Sequence, residues 1–375
     1  MKNPIVSFVV PCYKLAHLLK ECVDSILAQT FVDFEVLIMD DCSPDNTAEV
    51  AQSFTDPRVR HIRNEPNLGH LRNYNKGINL SRGEYIWLIS ADDRLRRPYA
   101  LERYVELMEE HPRVGYVFGA GIGLHDGEET TLLEHYYYGD TDRILNGRDF
   151  ISTLLRRNSG ILSPSVMVRR CCYENISMFP LDMPHEGDLF IWLAWALEHD
   201  VAYFAEPMVN YRTHDLSMMK DFLTQKQDQA FADDVNVMWR VKHKAEDREL
   251  PHLSPLFESA LASKYSNSAA VLLYGETSAA YGTTVASCQE AFRVNARDAH
   301  EEKRLLGRFS GCMGDKHWWH GNYDQARRSY LDALQLHWYL PKVWVKLLVA
   351  AMGRTGFLYL KEARARIRQR GISFG

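Results

Sequence analysis

The sequence has 375 residues, of which 46% are hydrophobic and 25% are charged, and its formal net charge is −5. A chain of this length exceeds what one hydrophobic core usually supports, so we expect two or three packed units. The negative net charge gives no support to nucleic-acid binding. The seven cysteines show no CxxC spacing. They favour reduced, buried thiols in a cytoplasmic protein over a disulfide framework or a zinc site.

The two ends of the chain bear on membrane association. The N-terminus lacks a basic region followed by an apolar stretch and a cleavage site, so we expect no signal peptide. The nearest candidate for a spanning helix, 343–360, is interrupted by Lys346 and Arg354, and we expect no membrane-spanning segment. The basic run KEARARIRQR at 361–370 is interpreted as a solvated helix end. The alternative is a weak electrostatic contact with the inner face of an anionic cytoplasmic membrane.

The first third of the chain alternates short apolar runs with segments of helical periodicity, which predicts βαβ units and a parallel sheet. The predicted strands are Ile5–Val10, Phe34–Met39, Val59–Ile62, Tyr85–Ile89 and Gly115–Gly119. The predicted helices of this region are 18–27, 45–54, 70–80 and 99–110. From about 126 to 219 the pattern is more irregular, with a helix that begins near Glu186.

Beyond residue 220 the strand signals largely disappear, and we interpret 220–375 as an all-helical C-terminal domain. Six residues in it fall in the register of a tetratricopeptide helical hairpin. They are Gly314, Gly321, Tyr323, Ala326, Tyr330 and Ala333. A generic helix pair is the alternative interpretation, because Pro341 comes three residues later than the repeat pattern expects.

Acidic pairs follow two of the predicted strands. Asp40 and Asp41 come directly after FEVLIM, and Asp92 and Asp93 follow YIWLIS. Ligands of open parallel sheets bind outside the carboxyl ends of the strands, so the two pairs should converge on one crevice. The plainer interpretation of each pair is a turn or a helix cap.

The turn after the first strand, PCYKLA, has no GxGxxG motif. Without those glycines a pyrophosphate cannot be held on a helix N-terminus, which argues against a dinucleotide oxidoreductase. A divalent cation held by carboxylates is the alternative way to neutralise a diphosphate, with Mg²⁺ or Mn²⁺ favoured by oxygen ligands. Asp92 and Asp93 supply such ligands.

Four ordered segments carry a resemblance to a known family. They are PIVSFVVPCYK, CVDSILAQTFVDFEVLIMDDCSPDNT, NEPNLGHLRNYNKGI and RGEYIWLISADD. They resemble the nucleotide-sugar domain of family 2 glycosyltransferases from residue 4 to about 120, and the resemblance resumes at HEGDLFIWLAWAL and YRTHDLSMM. It implies the α/β A-type fold, a mostly parallel Rossmann-like sheet flanked by helices. The implied order is a nucleotide-sugar-binding half (1–125), an acceptor-binding half of the same catalytic domain (126–219) and the helical domain (220–375).

The resemblance implies a set of nucleotide-binding residues. They are Pro11, Tyr13, Asp40, Asp41, Arg72 and Asp92. In this set Tyr13 would stack on the base and Asp41 would accept a hydrogen bond from a base N–H. Such a contact suits uracil or thymine and leaves guanine open, and we favour a UDP-sugar donor. Arg72 would lie over the base or the diphosphate.

The resemblance also implies the reacting groups. Asp93 would be the principal metal ligand, Asp92 would contact the ribose or the metal, and His214 would contact the metal or the diphosphate. Asp188 would be the general base that deprotonates the acceptor. The acceptor-site candidates are Glu186, Trp192 and Arg212. Trp192 has a competing interpretation as a core residue of its own helix.

Two positions depart from the family pattern. Ser90 stands where the family's acidic cluster more often has another Asp, and Glu186-Gly187-Asp188 replaces the usual Glu-Asp pair. Glu186 therefore stays an alternative to Asp188 as the base. An acceptor hydroxyl needs a positioned carboxylate to take its proton, and one base opposite the leaving group implies a single displacement with inversion.

These features predict an inverting hexosyl- or N-acetylhexosaminyltransferase of bacterial-type polysaccharide or surface-glycan assembly. Its acceptor would be a glycan, a lipid-linked molecule or another compound with a hydroxyl group. One alternative is transfer to a natural product, peptide or protein, which the helical domain would recognise. A non-catalytic scaffold that binds nucleotide sugars is the alternative from another class. The helical domain also allows a homodimer.

Overall fold

The computed structural model describes residues 3–157, 160–214, 224–275, 281–351 and 355. The chain divides into two compact units, residues 1–222 and 223–375. The DLSMM part of the last resemblance segment and the basic run 361–370 lie outside the described residues. Within the described residues, no helix has the length and apolar character needed to cross a membrane.

One sheet of ten strands organises the described part of the first unit. The strands are β1 (Val6–Cys12), β2 (Phe34–Asp40), β3 (Val59–Arg63), β4 (Tyr85–Leu88), β5 (Arg94–Leu95), β6 (Val114–His125), β7 (Glu128–Leu132), β8 (Arg143–Leu145), β9 (Met167–Arg169) and β10 (Asp200–Arg212). Their order is β3-β2-β1-β4-β9-β6-β10-β5, with β7 paired to β6 and β8 paired to β10. All five predicted strands are present in it.

The sheet is mixed. Strands β1 to β4, β6 and β10 run in one direction, whereas β5, β7, β8 and β9 are each antiparallel to a neighbour. The short β9 stands between β4 and β6 and pairs antiparallel with both. The sheet continues past residue 125, so the two predicted halves of the catalytic domain share it.

Seven helices accompany the sheet in the described residues. They are α1 (Ala16–Leu27), α2 (Thr47–Gln52), α3 (His70–Leu80), α4 (Ala100–Glu110), α5 (Gly147–Arg157), α6 (Arg170–Asn175) and α7 (Gly187–Ala196). Helix α2 is shorter than predicted, because Asp45 belongs to the turn before it. The Asp45 carboxylate accepts hydrogen bonds from the backbone N–H groups of Thr47 and Ala16, at 3.3 and 3.1 Å.

The core lies on both faces of β1, β2 and β4. Every residue of β1 and β2 is buried, as is typical of parallel strands that are covered on both sides. Trp87 on β4 stacks between Phe8 and Tyr104, with ring centroids 5.5 and 4.5 Å away. This aromatic stack stabilises the strand that leads to Asp92 and Asp93.

The described part of the second unit is helical. Its helices are α8 (Gln227–Asp247), α9 (Ser254–Tyr274), α10 (Val285–Asn295), α11 (Ala299–Trp319), α12 (Tyr323–Leu336) and α13 (Pro341–Ala351). The predicted pair is α11 and α12, joined through Gly321 at φ +78°. A Cβ atom at Gly314 would stand 2.4 Å from the Tyr330 ring, so a glycine lets the two helices approach closely. The tetratricopeptide interpretation stays a prediction.

Gly77 gives a test of how α3 packs on the sheet. A Cβ atom there would lie 2.5 Å from Val9 Cγ1 and 3.0 Å from Met39 Cγ. We expect Gly77→Ala to lower the free energy of unfolding by about 1–3 kcal/mol, the usual cost of overpacking. Chemical denaturation measures it. Asn79→Ala, at an exposed position of the same helix, should change stability by less than about 0.5 kcal/mol. Equal stability of the two variants would contradict the packing argument.

Candidate active site

A cavity of about 200 Å³ opens at the carboxyl ends of the parallel strands. The turn after β4, helix α3, the segment around 163–164 and the start of α7 supply most of its walls. The lining residues that matter most for chemistry are His70, Tyr74, Asp92, Asp93, Ser163 and Asp188. Two groups of predicted site residues, the second acidic pair and the predicted base, therefore meet in one cavity.

The acidic turn Asp92-Asp93 is held by the end of β10. Asp93 is buried, and its Oδ1 accepts a hydrogen bond from the backbone N–H of Arg212 at 2.9 Å. Burial, and then the charge of Asp92, raise the pKa of the Asp93 carboxyl well above its ordinary value. Asp92 Oδ2 lies 2.9 Å from His214 Nε2. Asp92 Oδ1 is buried and has no hydrogen-bond partner among the described residues.

These residues fit a divalent cation. A buried carboxylate oxygen without a donor is costly unless something supplies positive charge to it. Asp92 Oδ1 is such an oxygen, and two adjacent carboxylates are ligands of the kind that Mg²⁺ and Mn²⁺ prefer. The His214 ring contacts the pair at Asp92, where its Nε2 lies 2.9 Å from Oδ2.

Two other groups of metal-ligand side chains are compact in the described residues. They are Cys171, Cys172 and His199 in the first unit, and His243, Glu246 and Glu301 in the second. Cationic side chains already accompany both. The Arg169 guanidinium acts electrostatically on the first group, and Lys242 Nζ is hydrogen-bonded to both glutamates of the second. We therefore assign no metal to either group. All seven cysteines have free thiols.

Arg212 supports the acidic turn with its side chain as well. Its Nε donates to the backbone carbonyl of Asp92 at 2.9 Å, and its Nη2 donates to Glu21 at 2.5 Å. Glu21, on α1, also accepts from Arg94 Nη1 at 2.5 Å. Arg212 was predicted at the acceptor site, but it is 8% exposed, and its backbone N–H, Nε and Nη2 donate to the acidic turn and to Glu21. These contacts tie the acidic turn to Glu21, and the acceptor role of Arg212 stays a prediction.

Asp188 lies in the first turn of α7 and lines the cavity. Its Oδ2 accepts from Ser163 Oγ at 3.2 Å, and its Oδ1 accepts from the backbone N–H of Leu189 at 2.7 Å. Burial raises the pKa of the Asp188 carboxyl above its ordinary value. A raised pKa brings a carboxylate closer to the range in which a general base works well at neutral pH.

The other two acceptor-site candidates are not among the lining residues. Glu186 directly precedes α7, with its Oε1 3.3 Å from His185 Nε2. Trp192 is buried on α7, and its backbone carbonyl accepts from the Tyr116 hydroxyl at 3.2 Å. Trp192 is thus a core residue, the interpretation that competed with its acceptor role.

The first acidic pair is used by the chain itself. Asp41 accepts from the backbone N–H groups of Leu68 and Gly69, at 2.8 and 2.9 Å, and from Asn64 Nδ2 at 2.9 Å. Asp40 accepts from Arg63 Nη1 at 2.6 Å and from the backbone N–H of Ser43 at 2.8 Å. Asp41 therefore holds the loop that leads into α3, one wall of the cavity.

The remaining nucleotide-binding candidates differ in exposure. Tyr13 follows β1 and is 44% exposed, with Lys14 Nζ 5.1 Å from its ring centroid, so part of the side chain is accessible to a ligand. Pro11 is buried in β1, where its carbonyl accepts from the backbone N–H of Ala91 at 3.1 Å. Arg72 is exposed and is not among the residues that line the cavity. Tyr74, two positions further along α3, does line it.

Sequence reasoning missed Tyr74 and His70. Burial, and then the charges of Asp92, Asp188 and Asp93, raise the pKa of the Tyr74 phenol, which therefore stays a protonated donor beside the carboxylates. His70 and Tyr74 are spaced i, i+4, which puts both on one face of α3. That spacing, directly after the loop NEPNLG at 64–69, was the sequence signal that could have identified these two residues.

Comparisons with known proteins agree with this geometry. Residues 7–170 match the model of glycosyl transferase family 2. They form a family 2 glycosyltransferase domain. The chain is 40% identical over 216 residues to the succinoglycan biosynthesis protein ExoO of Rhizobium meliloti. This aligned region covers 57% of this chain and 61% of ExoO. It is 35% identical over 166 residues to the glycosyltransferase GlyG of Streptococcus pneumoniae. This aligned region covers 42% of this chain and 51% of GlyG. The matches thus span about half to three fifths of these relatives.

The fold has a counterpart among solved structures. S. aureus TarS 1–349, crystallised in complex with UDP-GlcNAc, superposes with a TM-score of 0.56 at 15% sequence identity. The superposition covers 88% of this chain and 89% of that one. At this identity the likeness establishes the A-type glycosyltransferase fold that the resemblance implied.

Glu21 provides a test of the positioning network. We expect Glu21→Gln to reduce turnover of a sugar-nucleotide donor by about tenfold or more, because Arg212 loses its charged partner and the acidic turn loosens. A tenfold reduction corresponds to an activation barrier higher by about 1.4 kcal/mol. The readout is kcat and KM, together with stabilisation by UDP and Mn²⁺ in a thermal-shift assay. Asp24→Asn, on the same helix in an exposed pair with Lys20, is the matched control. A Glu21→Gln enzyme as active as this control would exclude the positioning role.

Proposed function

We propose that this protein transfers a sugar from a nucleoside-diphosphate donor to an acceptor hydroxyl by a single displacement with inversion. The observation that carries the proposal is the shared cavity, which Asp188 and the Asp92-Asp93 pair both line at the carboxyl ends of the sheet. The family 2 domain at 7–170 supports the same chemistry. A base and an acidic, cation-binding turn in one cavity are the two groups that such a displacement needs.

The donor is proposed to be a UDP-sugar with a hexosyl or N-acetylhexosaminyl group. The exposed Tyr13 ring would stack on the base beside the turns after β1 and β2. UDP-GlcNAc in the crystals of S. aureus TarS supports this choice of donor. Asp41 keeps the neighbouring loop in place, and its carboxylate remains the proposed acceptor for a base N–H.

Asp92 and Asp93 would hold Mg²⁺ or Mn²⁺, which when bound would neutralise charge on the leaving diphosphate. His214, hydrogen-bonded to Asp92, would orient that carboxylate. Tyr74 would donate a hydrogen bond from its phenolic O–H to an oxygen of the donor, because its raised pKa keeps the phenol protonated. Each of these groups is fixed by its own neighbours before a substrate arrives, which is how a site stabilises developing charge without reorganisation.

Asp188 would take the proton of the acceptor hydroxyl during attack. The Ser163 hydroxyl holds one carboxylate oxygen, and burial keeps the basicity of Asp188 above that of a free aspartate. Aromatic and proline side chains of the cavity, among them Phe179 and Pro184, supply the apolar surface on which sugar rings commonly rest.

The acceptor is proposed to belong to bacterial polysaccharide or surface-glycan assembly, which the similarity to a succinoglycan biosynthesis protein supports. Screening lipid-linked glycans, peptides and small natural products with the preferred donor would distinguish this assignment from the other acceptor classes. Binding of donors with neither transfer to any acceptor nor hydrolysis of the donor would instead indicate a sugar-nucleotide scaffold.

Substitutions separate the two groups of the cavity. We expect Asp188→Asn to abolish transfer while donor binding persists, because only the base is removed. We expect Asp93→Ala to abolish transfer and also to weaken Mn²⁺-dependent binding of UDP, because a carboxylate of the acidic turn is lost. Radiolabelled sugar transfer and calorimetric titration measure the two effects.

Glu186→Gln is the matched control for the base, since it changes the other acid at the start of α7 in the same way. This variant should keep most of the activity. Full activity of Asp188→Asn, or loss of activity in Glu186→Gln alone, would remove Asp188 from the mechanism.

The pH dependence of transfer gives an independent check. A base acts only when deprotonated, so activity should fall on acidification through the pKa of Asp188. Since burial raises that pKa, the acid limb of kcat/KM should lie above the value of about 3.9 for a free aspartate. In Ser163→Ala, which removes a hydrogen bond to the charged form, the limb should move to still higher pH. A limb at or below the free value would contradict the assignment.

A further inference from the structure

The α6–α7 loop, residues 176–186, leads into the helix that carries Asp188. The loop contains no helix or strand, but it supplies Phe179, Pro184 and His185 to the wall of the cavity. Backbone groups outside regular secondary structure need other partners for their hydrogen bonds. The contacts that the rest of the fold makes with this loop therefore bear on where Asp188 lies.

Asn75 on α3 pairs with the α6–α7 loop at Phe179. Its Nδ2 donates to the Phe179 carbonyl at 2.9 Å, and its Oδ1 accepts from the Phe179 backbone N–H at 3.1 Å. One side chain thus satisfies both peptide groups of one residue, as the neighbouring strand does in a hydrogen-bonded pair of a β-sheet. A carboxamide can do this because it carries an N–H donor and a carbonyl acceptor on one planar group.

Two further contacts join α3 to the same loop. His70 Nε2 lies 2.9 Å from the carbonyl oxygen of Pro184. A carbonyl only accepts, so this ring nitrogen carries the hydrogen and donates it. The Tyr74 ring meets the Phe179 ring edge to face, with centroids 5.4 Å apart. Helix α3 therefore holds the loop at two separate points, Phe179 and Pro184.

Asn75 differs from its two neighbours in its relation to the cavity. His70 and Tyr74 line the cavity and can touch a substrate, whereas Asn75 is not among the described residues that line it. Its side chain forms hydrogen bonds with the α6–α7 loop. Any effect of Asn75 on the reaction is therefore exerted through the loop, on the side of the cavity where Asp188 stands.

We propose that Asn75 is a positioning residue for sugar transfer, which holds the α6–α7 loop at Phe179 and thereby fixes where Asp188 meets the acceptor hydroxyl. The inference rests on the proposed function, because it takes Asp188 as the base. A base has to lie within hydrogen-bond reach of the proton that it removes, and a displacement of about 1 Å can lower the rate by about 100-fold.

Amide hydrogen exchange of the ligand-free, full-length protein tests the contact itself. In Asn75→Ala the Phe179 N–H loses its acceptor, so peptides that cover residues 177–187 should exchange at least about tenfold faster. Asn79→Ala makes the same change at an exposed position of the same helix. This matched control should exchange as the unchanged protein does. Equal exchange of the loop in Asn75→Ala and in the control would overturn the inference.

Steady-state kinetics test the consequence, with the donor and the acceptor that the screen identifies. Asn75→Ala should lower kcat by about tenfold or more, because the base is displaced. Its affinity for UDP with Mn²⁺, measured by calorimetric titration, should stay within about twofold of the unchanged protein, because Asn75 acts on the side of the base. Asn79→Ala should change neither quantity. Unchanged affinity for UDP, together with thermal melts, shows that a variant with low kcat is folded.

Asn75→Asp separates hydrogen bonding from packing. Aspartate is nearly the size of asparagine, but it sets a carboxylate oxygen instead of an N–H donor against the Phe179 carbonyl. This variant should therefore lose at least as much activity as Asn75→Ala. An Asn75→Asp enzyme as active as the unchanged protein would indicate a packing role and overturn the inference, as would full activity of Asn75→Ala. Either result leaves the proposed function intact, whereas an unchanged protein that transfers no sugar contradicts both.

Discussion

The buried acidic turn at the end of β4 is the constraint on which the rest of the site depends. Two neighbouring carboxylates in a protein interior repel each other and lose their hydration, so the fold must supply donors to them. The donors come from the end of β10, about 120 positions away, where Arg212 donates a backbone N–H to Asp93 and a side-chain N–H to the Asp92 carbonyl. Helix α1 completes the arrangement, because Glu21 holds the Arg212 guanidinium. The end of β10 therefore holds the turn directly, and α1 supports it through Arg212.

The two acidic pairs look alike along the chain, but they differ in the hydrogen-bond donors that surround their carboxylates. Asp41 has donors for both oxygens and ties the loop before α3 to β2. Asp92 keeps one buried oxygen without a donor among the described residues. A carboxylate offers about four acceptor positions. Three donors occupy Asp41 and tie the loop in place, which leaves one position on Oδ2 for a base N–H, whereas Asp92 Oδ1 has no donor among the described residues. The first pair thus shapes the cavity wall that carries Tyr74, and the second pair gives the cavity its charge.

Formal charge is distributed unevenly along the sequence. Residues 1–332 have a formal charge of −12, and the cavity itself contains three aspartates. A diphosphate of the proposed donor would approach a negatively charged cavity and would need positive charge at the point of binding, which a cation on the acidic turn would provide. Residues 333–375 have the opposite balance, a formal charge of +7.

The sequence by itself determined the strands β1, β2 and β4 and the positions of both acidic pairs. Buried parallel strands are continuous apolar runs, and polar residues at their carboxyl ends are visible one strand at a time. The short strands β5, β7, β8 and β9, each antiparallel to a neighbour, carried no comparable signal, because their pairing depends on partners far away in the chain. Only the tertiary structure decided that Tyr74 rather than Arg72 lines the cavity, and that Arg212 supports the acidic turn. Such roles follow from which distant donors the sheet order brings to each carboxylate, and no local pattern encodes that order.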